Sequence, residues 1–242
     1  MIHYHGGPIT PVTCAIRAWG GRHAFVSWHR PDQIEIAAQY SQSFALDNGA
    51  FAYWRNGKIP DWSRYYPWVT NWARHPGFDF AIIPDVIGGS EEENDELLAQ
   101  WPLSPVVGVP VWHINESFDR FKRLAENWPR VAIGSCDEWD VSTPSKFLPR
   151  AIESIESICD DDGYPITKLH GLRLLNPKVF SKLPLSSADS TNVAQNIGID
   201  SAWKGTYQPK SKETRTSIMV ERIESVNSAC RLSSLLERLV GD

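Results

Sequence analysis

Eight short apolar runs recur along the chain, and most are followed by a segment whose apolar residues repeat at helical spacing. The runs fall at 2–5, 24–28, 43–46, 78–83, 106–112, 131–133, 168–174 and 183–188. The helical segments between them lie at 31–40, 62–74, 91–100, 117–127 and 146–159, with at most a turn or two at 176–181. The runs are continuously apolar rather than alternating, as expected of strands buried on both faces. Strands that alternate with helices pair in parallel through right-handed crossovers. Eight such units predict a closed (β/α)8 (TIM) barrel, one domain over 1–242 with the barrel proper at about 1–200. A doubly wound open sheet is the competing arrangement. Two stretches fall outside the repeat. An aromatic-rich loop spans 51–66, and a polar connection at 203–212 leads into an extra C-terminal helix over about 213–239. That helix carries Ile218, Ile223, Val226, Leu232, Leu235 and Leu236 near helical spacing.

Composition narrows the function classes. The net charge of −5 argues against sequence-blind coating of nucleic acid, which needs a broadly basic surface, but leaves room for a local basic patch. Cys14, Cys136, Cys159 and Cys230 lie far apart without zinc or disulfide-framework spacing. The seven His are dispersed, so no metal and no cofactor are expected. The Gly-Gly pairs at 6–7, 20–21 and 88–89 fit neither a Rossmann nor a P-loop fingerprint. No leader-like or membrane-spanning apolar stretch is present, and a cytoplasmic protein without membrane contact is expected.

Nearly every predicted strand ends in a residue able to do chemistry: His5, His29, Asp47, Asp85, His113, Ser135 and Asp189. A parallel barrel gathers all these ends on one face, where such folds carry their active sites. Each has a plainer alternative. Asp189, in Leu185-Ser186-Ser187-Ala188-Asp189-Ser190-Thr191-Asn192, reads as a nucleophile or base or as the cap of a following helix. Asn48-Gly49 after Asp47 is a turn signal, or a place where Gly49 and Ala50 let a flat ligand lie against backbone. Asp85 can accept the N–H groups of a heterocycle, and Ser90 is better placed than Asp85 to cap the acidic helix beyond it. His113 is a ligand contact or a satisfied structural residue. One of His3 and His5 is expected to face the barrel interior. Lys204, Lys210, Lys212 and Arg215 form the densest basic stretch, either solvated charges or a grip on phosphates. Trp54, Trp203 and Tyr207 are candidates to stack on bases.

With the strand ends laid out, the chain resembles the tRNA-guanine transglycosylase superfamily. Asp47-Asn48-Gly49-Ala50-Phe51 is similar to that family's Asp-Ser-Gly-Gly-Phe segment, and Ile133-Gly134-Ser135 to its Ile-Gly-Gly segment. Leu169-His170-Gly171-Leu172 with Asn176-Pro177 resembles its Met-Gly-Val-Gly-Lys-Pro region. The segment ending at Asp189 falls where the family carries its nucleophile. The resemblance implies Asp189 as nucleophile through a covalent glycosyl intermediate and Asp47 as general acid/base. It implies Asp85, Gly134, Ser135, His113, Asn48, Gly49 and Phe51 as the substrate-binding set, and the basic stretch of Lys204, Lys210, Lys212 and Arg215 would then hold the nucleic acid's phosphates. The family's C-x-C-x-x-C zinc insertion, which supports tRNA binding, is missing, and a glutamine expected near strand five is replaced by the neighbourhood of His113. Short zinc-free relatives occur in bacteriophages and DNA-modification clusters. The implied partners are therefore DNA rather than tRNA, and a free 7-deazaguanine base. A nucleoside or nucleotide N-glycosidic hydrolase and a non-catalytic binding barrel are the alternatives.

Overall fold

The computed structural model describes residues 1–136, 139–200 and 203–232. Nine strands form one parallel sheet: β1 (Ile2–Gly6), β2 (His23–Ser27), β3 (Ser43–Asp47), β4 (Phe78–Ile82), β5 (Gly108–Val109), β6 (Val111–His113), β7 (Arg130–Gly134), β8 (Lys168–Gly171) and β9 (Ser187–Ser190). Their order is β5-β4-β3-β2-β1-β9-β8-β7-β6. The two ends of this sheet are pieces of one strand. The run at 106–112 is interrupted at Pro110, which has no N–H to give a ladder. β5 pairs with β4, β6 pairs with β7, and the Pro110 carbonyl accepts the Ala132 N–H at 2.8 Å. The sheet thereby closes on itself as the (β/α)8 barrel the periodicity predicts.

Ten helices accompany it among the described residues: α1 (Val12–Trp19), α2 (Ile34–Tyr40), α3 (Ala50–Arg55), α4 (Trp62–Trp72), α5 (Glu91–Ala99), α6 (Phe118–Asn127), α7 (Pro144–Glu156), α8 (Pro177–Phe180), α9 (Asn192–Asn196) and α10 (Lys212–Glu224). The loop expected at 51–66 is instead α3, a turn and the start of α4. The region between the first two strands, bracketed by Gly-Pro and Gly-Gly turn signals, holds α1, which buries Cys14, Ala15, Ala18 and Trp19. α10 stops at Glu224 rather than near 239. The chain then crosses toward the N-terminal ends of the strands, where Val226 O meets His3 Nε2 at 2.9 Å and Ser228 Oγ donates to Leu185 O at 2.6 Å. Leu235 and Leu236 lie outside the described residues. No helix among the described residues is long and apolar enough to cross a membrane.

Alternation along each strand sorts the core into two layers. Tyr4, Phe25, Ala45, Phe80, Ile82, Val109, Val111 and Ala132 fill the barrel, and a larger cluster including Trp19, Trp112, Phe121 and Phe147 lies between sheet and helices. Tyr4 donates its hydroxyl to Asp79, whose other oxygen takes Arg130 Nη1 at 3.3 Å. Because Tyr4 points inward, His3 and His5 both point outward. Residues two apart share a face, so the expectation that one of the pair faces the interior is corrected. His5 Nε2 meets Glu224 Oε1 of α10 at 3.0 Å.

Candidate active site

All strands run the same way, so their C-terminal ends share one mouth. Two carboxylates belong to the same inward-facing rows as the core: Asp47 follows Ala45 on β3, and Asp189 follows Ser187 on β9, in register with Tyr4. β9 sits later than the apolar run at 183–188, so Asp189 lies within the strand rather than just beyond it. The residue is 5% exposed. Oδ1 accepts the Arg173 backbone N–H at 2.9 Å and lies 3.5 Å from His170 Nε2. That answers the capping alternative, because no side chain caps α9 and Ser190 Oγ takes the Asn192 N–H at 3.0 Å. His170 is completely buried, and burial pushes its pKa below the ordinary value despite the pull of Asp189. Its Nδ1 contacts Ser187 Oγ at 2.8 Å. With the hydroxyl donating there, the neutral ring turns an N–H toward Asp189.

Asp47 keeps part of its surface open to the mouth. Burial is the largest influence on its carboxyl. The Ser27 hydroxyl and the Gly49 N–H oppose it, the charges of Asp189 and Asp85 reinforce it, and the pKa is raised to about 7. Gly49 turns the chain away at φ 78°, where a Cβ would stand 2.9 Å from His29 Cβ. No other residue fits there without displacing His29.

Asp85, three residues past β4, is clamped from both sides. Oδ1 accepts Asn48 Nδ2 at 2.7 Å, and Oδ2 lies 2.9 Å from His113 Nε2. Both N–H groups of Asn48 are used internally, since Nδ2 also donates to Ile83 O, and Oδ1 accepts the Ala50 N–H. It positions Asp85 and has no N–H left to donate, against the ligand contact that the resemblance implied for it. Burial lowers the pKa of His113, but the hydrogen bond and charge of Asp85 outweigh it, leaving the ring above its ordinary value. Gly134 packs under that ring: a Cβ there would come within 3.0 Å of His113 Nδ1. Ser90 caps α5 in a reciprocal box with Glu93, leaving Asp85 out of capping.

A buried network fixes the loop that carries Asp85 and the end of β6 that carries His113. Glu116 accepts the His113 N–H at 2.9 Å and Asn94 Nδ2 at 3.0 Å, while Asn94 Oδ1 takes the Val86 N–H at 2.8 Å. Arg120, 1% exposed, donates to Glu116 at 2.6 Å and to Asp95 at 3.0 Å. Arg120→Ala leaves Glu116 buried without its counter-charge, and denaturant melts are expected to show a loss of about 3–5 kcal/mol.

Arg173, unmarked by any sequence motif, completes the mouth. Its backbone is left-handed, φ 58°, uncommon for a residue with a Cβ, and this conformation aims its N–H at Asp189. Its guanidinium lies 4.0 Å over the Phe51 ring and 3.7 Å from Asp140 Oδ2. Phe51 follows β3 and Arg173 follows β8, four strands away around the ring, so this contact spans the mouth. Ser135 Oγ, just past β7, is buried and has no hydrogen-bond partner among the described residues.

The basic stretch is only partly available. Lys204, Lys210 and Lys212 are exposed, and α10 begins beside α1, where Thr13 Oγ1 donates to Glu213 at 2.6 Å. Arg215 holds the loop through Nη1, donating to Pro209 O at 2.7 Å and Lys210 O at 3.3 Å, while its Nε is buried without a hydrogen-bond partner among the described residues. Trp203 packs against the core beneath Arg222, whereas Trp54 and Tyr207 are open to solvent. Among the described residues no group of three or more His, Cys, Asp or Glu is arranged to hold a metal ion.

No family model matches the sequence, and no curated protein matches it. Among solved structures the chain is similar to a mutant tryptophan synthase α-subunit from the hyperthermophile Pyrococcus furiosus. The TM-score is 0.53 at 10% identity, over 93% of this chain and 98% of that one. Likeness at that level shows the TIM-barrel fold and nothing of the chemistry, which rests on the site.

Proposed function

We propose that the protein is a pentosyltransferase that exchanges guanine for a 7-deazaguanine base in nucleic acid, with DNA as the polymer. One observation carries the reading. Two inward-facing carboxyl groups near the strand ends are prepared for opposite roles, Asp189 anchored by the Arg173 N–H and Asp47 keeping its proton up to about pH 7.

In this reading the free oxygen of Asp189 attacks C1′ of the target nucleotide. The C1′–N9 bond breaks, its electron pair leaves with guanine, and Asp47 gives guanine its proton. The sugar remains as an ester on Asp189. The incoming base then returns a proton from N9 to Asp47, and its N9 displaces Asp189 from C1′. Two inversions restore the original configuration, and both carboxyl groups end as they began. Each oxygen of Asp85 already has one neighbour, which leaves each a lone pair for the N–H groups of a purine-like edge. The target nucleotide must leave the stack to reach such a pocket.

The direct assay is incorporation of labelled guanine and of a labelled 7-deazaguanine into single-stranded DNA, duplex DNA and tRNA. Incorporation into DNA is the expected result. Release of free guanine without incorporation would identify a hydrolase instead, and neither reaction would leave a binding barrel.

A further inference from the structure

The rim of the mouth is electrically divided. Loops after β9 and β3 carry more cations than acids, Lys204, Lys210, Arg55 and Lys58 against Asp200 and Asp61, while Arg173 after β8 is held by Asp140 at 3.7 Å. Loops after β4, β6 and β7 carry acids, including Glu91 to Glu93, Asp119 and Asp140. In ring order these are two continuous arcs. The β1 loop between the cationic segments has no charge, and on the β2 loop Arg30 is paired with Asp32 at 2.8 Å. At ordinary salt, charges act over roughly 8–10 Å, so each arc sets its own local potential.

The end of α3 and the turn into α4 stand out on the cationic arc. Trp54 is 55% exposed although one side of its ring meets Phe51 at 5.7 Å, and Ile59 is 95% exposed. Arg55 and Lys58 beside them are exposed and enter no ion pair among the described residues. Single-stranded nucleic acid is held by this combination, cations along the backbone and an aromatic face for an unstacked base.

We propose that Trp54, Arg55 and Lys58 form a second nucleic-acid-binding arm. Together with Lys204, Lys210 and Lys212 beyond β9, it lays a single-stranded polynucleotide along the cationic half of the rim, and the target nucleotide enters the mouth between the two arms. The acidic arc repels phosphates and so fixes the path to one side. The inference deepens the base-exchange reading and takes from it the identity of the polymer.

The test is fluorescence anisotropy of a fluorescein-labelled, mixed-sequence single-stranded oligodeoxynucleotide, titrated with the full chain across a salt series. Arg55→Ala/Lys58→Ala is expected to weaken binding by roughly 10- to 30-fold near 0.1 M salt and to reduce the slope of log K against log salt by about 1.4. Trp54→Ala is expected to weaken it by about tenfold without changing that slope. These side chains are exposed, so the fold is not at risk. Unchanged affinity in both variants, or no binding by the wild type, overturns the proposal even if base exchange is observed. Binding that follows these residues without any base exchange supports the arm and defeats the exchange reading instead.

Discussion

Replacing Asp189 with Asn is expected to abolish base exchange, lowering its rate by at least about a thousand-fold, with little change in stability. The amide has nearly the shape of the carboxylate, and its oxygen can still accept the Arg173 N–H that Asp189 accepts at 2.9 Å. What is lost is the negative oxygen that forms the bond to C1′. Incorporation of labelled base, measured beside a thermal melt, separates the two effects. A variant keeping more than a tenth of the wild-type rate would show that Asp189 is not the nucleophile.

Asp47→Asn is expected to divide activity from stability. Loss of the acid/base group costs about 10²- to 10⁴-fold in rate. In the wild type, departure of guanine needs protonated Asp47, so that step declines as pH rises through about 7. The variant has no such limb. For stability the sign runs the other way. The folded protein holds the Asp47 proton to about pH 7, whereas the unfolded chain releases it near the ordinary value of 3.8. Between those values the folded state binds more protons, so this contribution is fully present below about pH 4 and is lost as pH climbs through 7. The loss amounts to at most about 4 kcal/mol, less whatever solvent at the mouth screens. Asp47→Asn removes it. The variant should melt above the wild type at pH 8, with the gap closing toward pH 4. A gap that does not change with pH would mean that Asp47 is not held protonated.

The barrel was legible because strands buried on both faces write themselves as unbroken apolar runs. Register was less so. The run at 183–188 predicted a strand ending at Ala188, but Leu183 and Leu185 belong to the outer core, while the inward row continues through polar Ser187 and Asp189. Where a strand lines a polar mouth, hydrophobicity stops marking it. Pro110 split another strand for want of an N–H, and α1 lay hidden between turn signals.

The same logic divides the site. Asp47, Asp85 and Asp189 were found because a parallel sheet converts strand ends into one rim. Arg173 could not be found that way. Its contribution is a backbone N–H aimed by a left-handed φ of 58° and a side chain that meets Phe51 across the barrel, both products of tertiary structure. Asn48 carried the right chemistry for a ligand contact, yet Ile83 and Asp85 absorb both its N–H groups. Arg215 likewise holds its own loop. Polar type and position name candidates, and hydrogen-bond accounting decides which of them remain free.

The most direct test of the central claim is mass spectrometry of the protein after mixing with a single-stranded DNA oligonucleotide, quenching in acid without added base, and peptide mapping. The expected result is a mass increase equal to the oligonucleotide less one guanine, located on the peptide containing Asp189 and missing from Asp189→Asn. Base exchange without any adduct, or an adduct on Asp47, would contradict it.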